Sequence, residues 1–197
     1  MPLEDSAAAG QEALYAAKIP FISFDRIIES TEKYAALNTS GDNWAVGAGI
    51  AYWLQKNGMK PGDTVVVLYG DNGTVCSRRQ EGFEQFLQGT RKYEDQNLGS
   101  FETTEKWTAE QTAEVFNGYH VVCDWSADKA VDYLDQKLTE IIDAASKNGG
   151  NLYIYSMDDE MTFGVLTTLE TKVTGTDYEA KAEALNIYCS AIGGMQE

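Results

Sequence analysis

The chain has 197 residues, of which 43% are hydrophobic and 11% aromatic, so it is long and apolar enough to fold around a buried core. Its formal net charge of −16 at pH 7 opposes binding to the phosphate backbone of nucleic acid. No stretch approaches the roughly 18 consecutive apolar residues of a membrane-spanning helix. We therefore expect neither a nucleic-acid partner nor direct insertion into a membrane.

Helices and strands alternate along the chain. The apolar spacing, with its caps and glycine stops, predicts these elements in chain order: helix 7–17, strand 19–24, strand 35–39, helix 43–56, strand 65–69, helix 76–88, helix 108–116, strand 119–123, helix 127–147, strand 152–156, helix 158–170 and strand 186–192. The β-branched run at 65–69 is typical of a strand that is buried on both faces. The pattern predicts an α/β fold: a doubly wound parallel sheet with helices on both faces.

In such sheets a ligand binds beyond the carboxyl ends of the strands. The sequence places polar or aromatic residues, or a glycine pair, at five of those ends: Asp25-Arg26, Asp71 to Arg79, Asp124-Trp125, Met157-Asp158 and Gly193-Gly194. Each has a simpler structural explanation when taken alone. An arginine can lie on a helix surface, acidic residues can cap a helix, and a tryptophan can belong to the core.

No cofactor or metal site is expected. Gly47 and Gly49 lie inside a predicted helix and lack the third glycine of a dinucleotide fingerprint, and 70–74 lacks the lysine of a phosphate-binding loop. The three cysteines are far apart in sequence and form no zinc-binding spacing, so buried free thiols are expected. His120 is the single histidine and lies within a predicted strand, which favours a structural role.

Five segments, in chain order, resemble motifs of ribose- and galactose-type periplasmic sugar-binding proteins. Residues 19–26 (IPFISFDR) resemble IPVVxxDR, and Asp42-Asn43 with Gly47 is similar to SDNxxAG. Residues 79–83 (RQEGF) resemble RxEGF, and residues 123–130 (CDWSADKA) resemble ADWdxxKA. Residues 158–164 (DDEMTFG) resemble NDEMAxG. The five motifs together cover nearly the whole chain.

The resemblance implies two α/β lobes joined by three crossing strands, with a sugar held between them. By position, Asp25 and Arg26 would accept and donate hydrogen bonds to sugar hydroxyls, and Arg79 would supply a planar fork of donors. Trp125 would stack on the apolar face of the ring, and Asp158 stands where the family has asparagine. The resemblance implies no catalytic residue, so the protein is not expected to be an enzyme.

The chain also departs from the family pattern. Residues 1–41 correspond to a remnant of the first lobe and hinge, and residues 42–197 correspond to the second lobe without its last crossing. The segment between Phe83 and Trp125 is longer than in a ribose binder. Gly193-Gly194 stands where an aspartate is usual, so one hydroxyl acceptor is absent.

These observations predict an extracytoplasmic solute-binding protein that delivers a monosaccharide to an ABC transporter permease. It would act in the periplasm or at the cell surface, there as a lipoprotein. Because the first residues are acidic and lack a signal peptide, we expect the chain to be part of a longer protein. A single lobe would bind sugar weakly and would associate as a homodimer. Two alternatives rank below this prediction: the effector domain of a LacI-type repressor is second, and a small α/β enzyme is third.

Overall fold

The computed structural model describes residues 4–95 and 99–192. A short 3₁₀ helix at Glu32–Tyr34 lies between the first two strands. The helices are α1 (Glu4–Ala16), α2 (Asn43–Lys56), α3 (Thr74–Gln88), α4 (Ala109–Asn117), α5 (Ala127–Lys147), α6 (Asp159–Val173) and α7 (Glu179–Glu183). The strands are β1 (Ile22–Phe24), β2 (Leu37–Thr39), β3 (Thr64–Tyr69), β4 (Tyr93–Asp95), β5 (Gly99–Phe101), β6 (Tyr119–Val122), β7 (Asn151–Ser156) and β8 (Asn186–Ser190).

The main sheet has four parallel strands in the order β6-β3-β7-β8. Val66 of β3 pairs with Tyr119 of β6 on one side and with Ile154 of β7 on the other. Residues 64–68 of β3 are all buried, as the β-branched run predicts for a strand covered on both faces. The predicted parallel sheet of these four strands is therefore confirmed.

Helices cover both faces of this sheet, as predicted. α2, α3 and α4 pack together on one face, and α5 and α6 pack together on the other. The core between them is aromatic: the rings of Phe83 and Tyr155 are stacked with their centroids 4.9 Å apart. The strand order reverses beside β3, so the carboxyl end of β3 lies where a doubly wound sheet opens a crevice for a ligand.

Helices α2 and α3 cross with their backbones in direct contact. A Cβ atom added at Gly47 would lie 1.8 Å from the carbonyl oxygen of Arg79, and one added at Gly82 would lie 2.0 Å from the carbonyl oxygen of Trp44. Each helix thus supplies one glycine to the crossing, and no larger residue fits at either position. Both glycines belong to the motifs that carry the family resemblance.

Strands β1 and β2 form a separate two-stranded parallel sheet. The usual burial pattern is reversed in β1: the polar Ser23 is 4% exposed, whereas the apolar Ile22 and Phe24 on either side of it are 63% and 77% exposed. The buried side of β1 faces α1. There the Gln11 side chain hydrogen-bonds to both Ser23 and Thr31. The other face is apolar and is not covered within the described part of the chain.

The 3₁₀ helix, the β4–β5 hairpin and helix α7 were not predicted from the sequence. The hairpin of β4 and β5 has strands of three residues each, too short to give an alternating pattern. Helix α7 has five residues, less than two turns, and no apolar stripe. The predicted strand end at 192 is shortened to Ser190, and Gly193-Gly194 lies outside the described residues. The division at residue 41 between two lobes stays a prediction.

The helix crossing can be tested with two substitutions in α2. We expect Gly47→Ala to lower the free energy of unfolding by about 1–3 kcal/mol, because the new methyl group would push α2 away from α3. Gly49→Ala is the matched control, since a Cβ there has no heavy atom within 4 Å. It should raise stability by up to about 1 kcal/mol through helix propensity. Urea unfolding followed by circular dichroism measures both changes. Equal effects of the two substitutions would contradict the crossing.

Candidate functional site

A single carboxylate organises the carboxyl end of β3. Asp71 follows this strand in the loop before α3, and its Oδ2 accepts hydrogen bonds from Arg26 Nη1 at 2.7 Å and from Trp125 Nε1 at 2.9 Å. Its Oδ1 accepts a bond from the backbone N–H of Gly73 at 2.8 Å. Asp71 thereby joins the end of β1, the end of β3 and the loop after β6. We refer to Asp71, Arg26, Arg79 and Trp125 as the Asp71 cluster.

The ring of Trp125 lies flat against Gly70, where an added Cβ would come within 2.3 Å of three ring atoms. The backbone N–H of Trp125 donates to the Gly70 carbonyl at 3.0 Å, and that of Cys123 donates to the Tyr69 carbonyl at 2.8 Å. These bonds extend the pairing of β6 with β3 beyond the end of the sheet. They hold the indole over the crevice.

The backbone is strained at this point. Asp124 and Trp125 have φ values of 50° and 60°, and Asp25 at the end of β1 has φ 67°. Left-handed conformations of residues other than glycine cost on the order of 1–3 kcal/mol each, and they concentrate at functional sites. Four residues other than glycine have a left-handed conformation in the described chain. Three of them, Asp25, Asp124 and Trp125, lie within or next to the candidate site.

Two of the four arginines in the chain lie over the same indole. The guanidinium carbons of Arg26 and Arg79 are 5.3 and 5.9 Å from the Trp125 ring centroid. Arg79 is oriented by two neutral acceptors, the Asn43 Oδ1 at 3.0 Å from Nε and the Met157 carbonyl at 2.5 Å from Nη1. The Nε of Arg26 is buried and has no hydrogen-bond partner among the residues that the structure describes.

The two remaining predicted residues lie at the margin of the cluster. Asp158 is half-buried and follows the carbonyl that Arg79 binds, and its Oδ1 caps α6 by accepting from the backbone N–H of Glu160 at 2.9 Å. Asp25 is exposed, and its backbone N–H donates to Thr39 at 2.8 Å. The structure thus brings Arg26, Arg79 and Trp125 together, with Asp158 beside them. No side-chain contact ties Asp25 to the other four in the described part of the chain.

Asp71 is ionised in the cluster. Burial alone would raise its pKa, but the hydrogen bonds from Arg26, Trp125 and Gly73, with the charge of Arg26, outweigh burial and lower the pKa below its ordinary value. The cluster therefore presents a carboxylate, two guanidinium groups and an aromatic ring at one edge of the sheet. Such a set can donate to and accept from vicinal hydroxyl groups and can cover an apolar C–H face.

Two residues of this site, Asp71 and Asn43, are not among the five ligand-binding residues that the sequence predicts. Asp71 opens one of the predicted strand ends, and its signal is that it is the first charged residue after the buried strand 65–69. Asn43 is 7% exposed and orients Arg79 across the start of α2. Its signal, a position next to the cap residue Asp42, indicates a helix terminus and does not indicate a contact with α3.

Across residues 4–95 and 99–192, no three His, Cys, Asp or Glu side chains lie close enough together to bind a metal ion. No described helix combines the length and apolar character that a bilayer crossing requires. Burial raises the pKa of Cys123 to about 11 and that of Cys189 to about 12, so both are neutral thiols at pH 7.

The chain is similar to sugar-binding proteins in fold. A carbohydrate transporter solute-binding protein from Chloroflexus aurantiacus, in complex with D-glucose, matches 94% of this chain and 52% of its own length, with TM-score 0.61 and 21% identity. A sugar transporter from Clostridium phytofermentans matches 94% of this chain and 54% of its own, with TM-score 0.61 and 17% identity. A Caulobacter myo-inositol-binding protein matches 92% and 50%, with TM-score 0.56 and 18% identity.

The chain therefore spans about half the length of these solved structures. No curated protein matches it by sequence. A family model described as a periplasmic binding protein domain matches residues 4–185. The matched segment includes all members of the Asp71 cluster.

The role of Asp71 can be tested by acid unfolding. Because its folded-state pKa is below the unfolded value of about 3.9, its contribution to stability is present above that pH and is lost as the pH falls through the folded-state pKa. Asp71→Asn should lower the free energy of unfolding at pH 7 by about 1–3 kcal/mol, since it leaves Arg26 without its anion. It should also reduce the loss of stability below about pH 4.

Asp124→Asn is the control, since Asp124 and its partner Lys129 are both exposed. Urea unfolding at pH 7 and at acid pH measures the two variants against the unsubstituted chain. Asp71 would not organise the site if both variants behaved alike.

Proposed function

The chain belongs to the periplasmic binding protein family, and from that premise we propose that it binds a sugar at the Asp71 cluster and delivers it to an ABC transporter permease. The observation that carries the proposal is the placement of two arginines and a carboxylate around one tryptophan at the carboxyl ends of the strands. Sugar recognition needs dense polar partners beside an aromatic surface. On this proposal, the protein acts without catalysis, in the periplasm or at the cell surface as a lipoprotein.

The ligand that we propose is a monosaccharide. Arg79 can present donors to two neighbouring hydroxyl groups, while Asp71 and Asp158 supply acceptors. The indole of Trp125 is the one aromatic ring at the centre of the cluster. The solved proteins of this fold were crystallised with ligands such as D-glucose and myo-inositol, which are hydroxyl-rich rings of this size.

We expect the chain on its own to bind such sugars weakly. Each net hydrogen bond contributes only about 1 kcal/mol when water competes for the same groups. The cluster lies on one side of the crevice, so the other side of a bound ring would stay in water. The enclosure that strengthens polar contacts in other binding proteins comes from hinge closure of two lobes.

Sugar binding can be measured by amide NMR titration of the full chain with D-glucose, D-galactose, D-ribose and L-arabinose. We expect millimolar affinity, with the largest shifts at residues 71–73, 124–126 and 158–160. Arg79→Ala should weaken binding at least tenfold, because the site loses its unpaired guanidinium donors, and Arg91→Ala is the matched control. Arg91 lies over Trp44 and Tyr93 and outside the cluster. Binding that is unchanged in Arg79→Ala, or shifts confined to other regions, would contradict the proposal.

We also propose that the apolar face of the β1–β2 sheet binds a second copy of the chain. A two-stranded sheet is marginally stable by itself, and parallel sheets occur with both faces covered. Here Ile22, Phe24 and Leu37 are 63%, 77% and 55% exposed on strands whose outer edges are also unpaired in the described residues. Two copies could pair along these edges and cover the apolar side chains of each other.

Light scattering coupled to size exclusion tests this association. The unsubstituted chain should elute as a dimer at micromolar concentration, and Phe24→Ser should shift it to a monomer because the most exposed large apolar side chain of the described residues is removed. Leu166→Ser is the control, since Leu166 is 46% exposed but lies on α6. A chain that is monomeric at all concentrations would rule out the second copy as the partner of this face.

A further inference from the structure

A cavity of about 400 Å³ opens beside the Asp71 cluster. It lies between the start of α3, the end of α4 and strand β6, and its volume is within the range in which proteins bind small ligands. Asp71 and Gly73 form part of its wall, so the cavity adjoins the cluster along the loop after β3. Helix α4 contributes nothing to the Asp71 cluster, but its last residues complete this wall.

The apolar part of the wall is aromatic. Tyr69 is half-buried at the end of β3, with its hydroxyl donating to Gln80 Oε1 at 2.7 Å. Phe116 lies beside it, with the two ring centroids 6.5 Å apart. Both rings are held in place by this packing, so their edges give a rigid apolar boundary for a ligand.

The polar part of the wall has hydrogen-bonding capacity left over. His120 Nδ1 lies 3.0 Å from the carbonyl oxygen of Gly118, and because a carbonyl can only accept, the ring hydrogen is on Nδ1. The other ring nitrogen, Nε2, can take part in a further hydrogen bond. Asn72 and Asn117 are exposed, and their amides make no side-chain hydrogen bond within the described residues. Each amide can both donate and accept.

We propose that the binding site continues from the Asp71 cluster into this cavity and that the preferred ligand is a disaccharide. The first sugar ring would lie against Trp125, and the second would lie beside Tyr69 and Phe116, within reach of Asn72, Asn117 and His120. Aromatic edges with unpaired donors and acceptors are the chemistry that recognises a second pyranose or furanose ring. This inference rests on the proposed sugar binding, and it extends the ligand from one ring to two.

The test compares each monosaccharide with its disaccharides on the full chain by amide NMR titration: D-glucose with maltose and cellobiose, and D-galactose with lactose. We expect one disaccharide to bind at least tenfold more tightly than its monosaccharide. It should shift amides at 117–122, at the end of α4 and in β6, in addition to those at 71–73 and 124–126. The monosaccharide should shift the amides at 71–73 and 124–126 without those at 117–122.

A variant that fills the cavity separates the two parts of the site. Ser77 is exposed on α3 and lines the cavity, so Ser77→Trp should reduce disaccharide affinity to the level of the monosaccharide while leaving monosaccharide affinity unchanged. Ser100→Trp, at an exposed serine of β5, is the matched control and should change neither. If disaccharides bind no more tightly than monosaccharides, or Ser77→Trp weakens both equally, the extension is wrong and the sugar site stands. If no sugar of either size shifts the cluster, the extension and the proposed function both fail.

Discussion

The candidate site depends on how closely α2 approaches α3. Arg79 is part of this contact twice: its carbonyl oxygen lies against Gly47, and its guanidinium group reaches Asn43 at the start of α2. The same crossing is completed by Gly82 against the backbone of Trp44. A side chain at either glycine would separate the helices and would move the arginine relative to β7. The position of Arg79 is therefore set by Gly47 and Gly82, two residues that have no side chain.

The strained turn at Asp124 and Trp125 is compensated by its surroundings. Two backbone hydrogen bonds to the end of β3, the flat contact with Gly70 and the bond to Asp71 all oppose relaxation of this turn. The indole is thereby fixed before any ligand arrives. A rigid aromatic surface loses little conformational entropy on binding, which suits a ligand whose individual hydrogen bonds contribute little.

The sequence predicted the parallel sheet and the helices on both faces because their signals are local: buried β-branched runs, helical spacing and caps. It also indicated Arg26, Arg79 and Trp125 as neighbours, since strand ends in such a sheet meet at one edge. It placed Asp71 at the same edge but could not indicate that its carboxylate binds Arg26 and Trp125, because these two hydrogen bonds join segments distant in sequence. The segments that form the β4–β5 hairpin have no periodic pattern, so the sequence could not predict them. Asp25 matches a family motif, but no side-chain contact within the described residues joins it to the other predicted site residues.

The three cysteines lie within or beside the sheet, two of them buried and Cys189 half-buried, and none is paired with another. The thiolate is the species that attacks disulfides and reacts with oxidants, and burial raises the pKa of all three thiols so that the protonated form dominates. Burial therefore makes these thiols poor nucleophiles in the folded chain, so they react slowly with disulfides and oxidants.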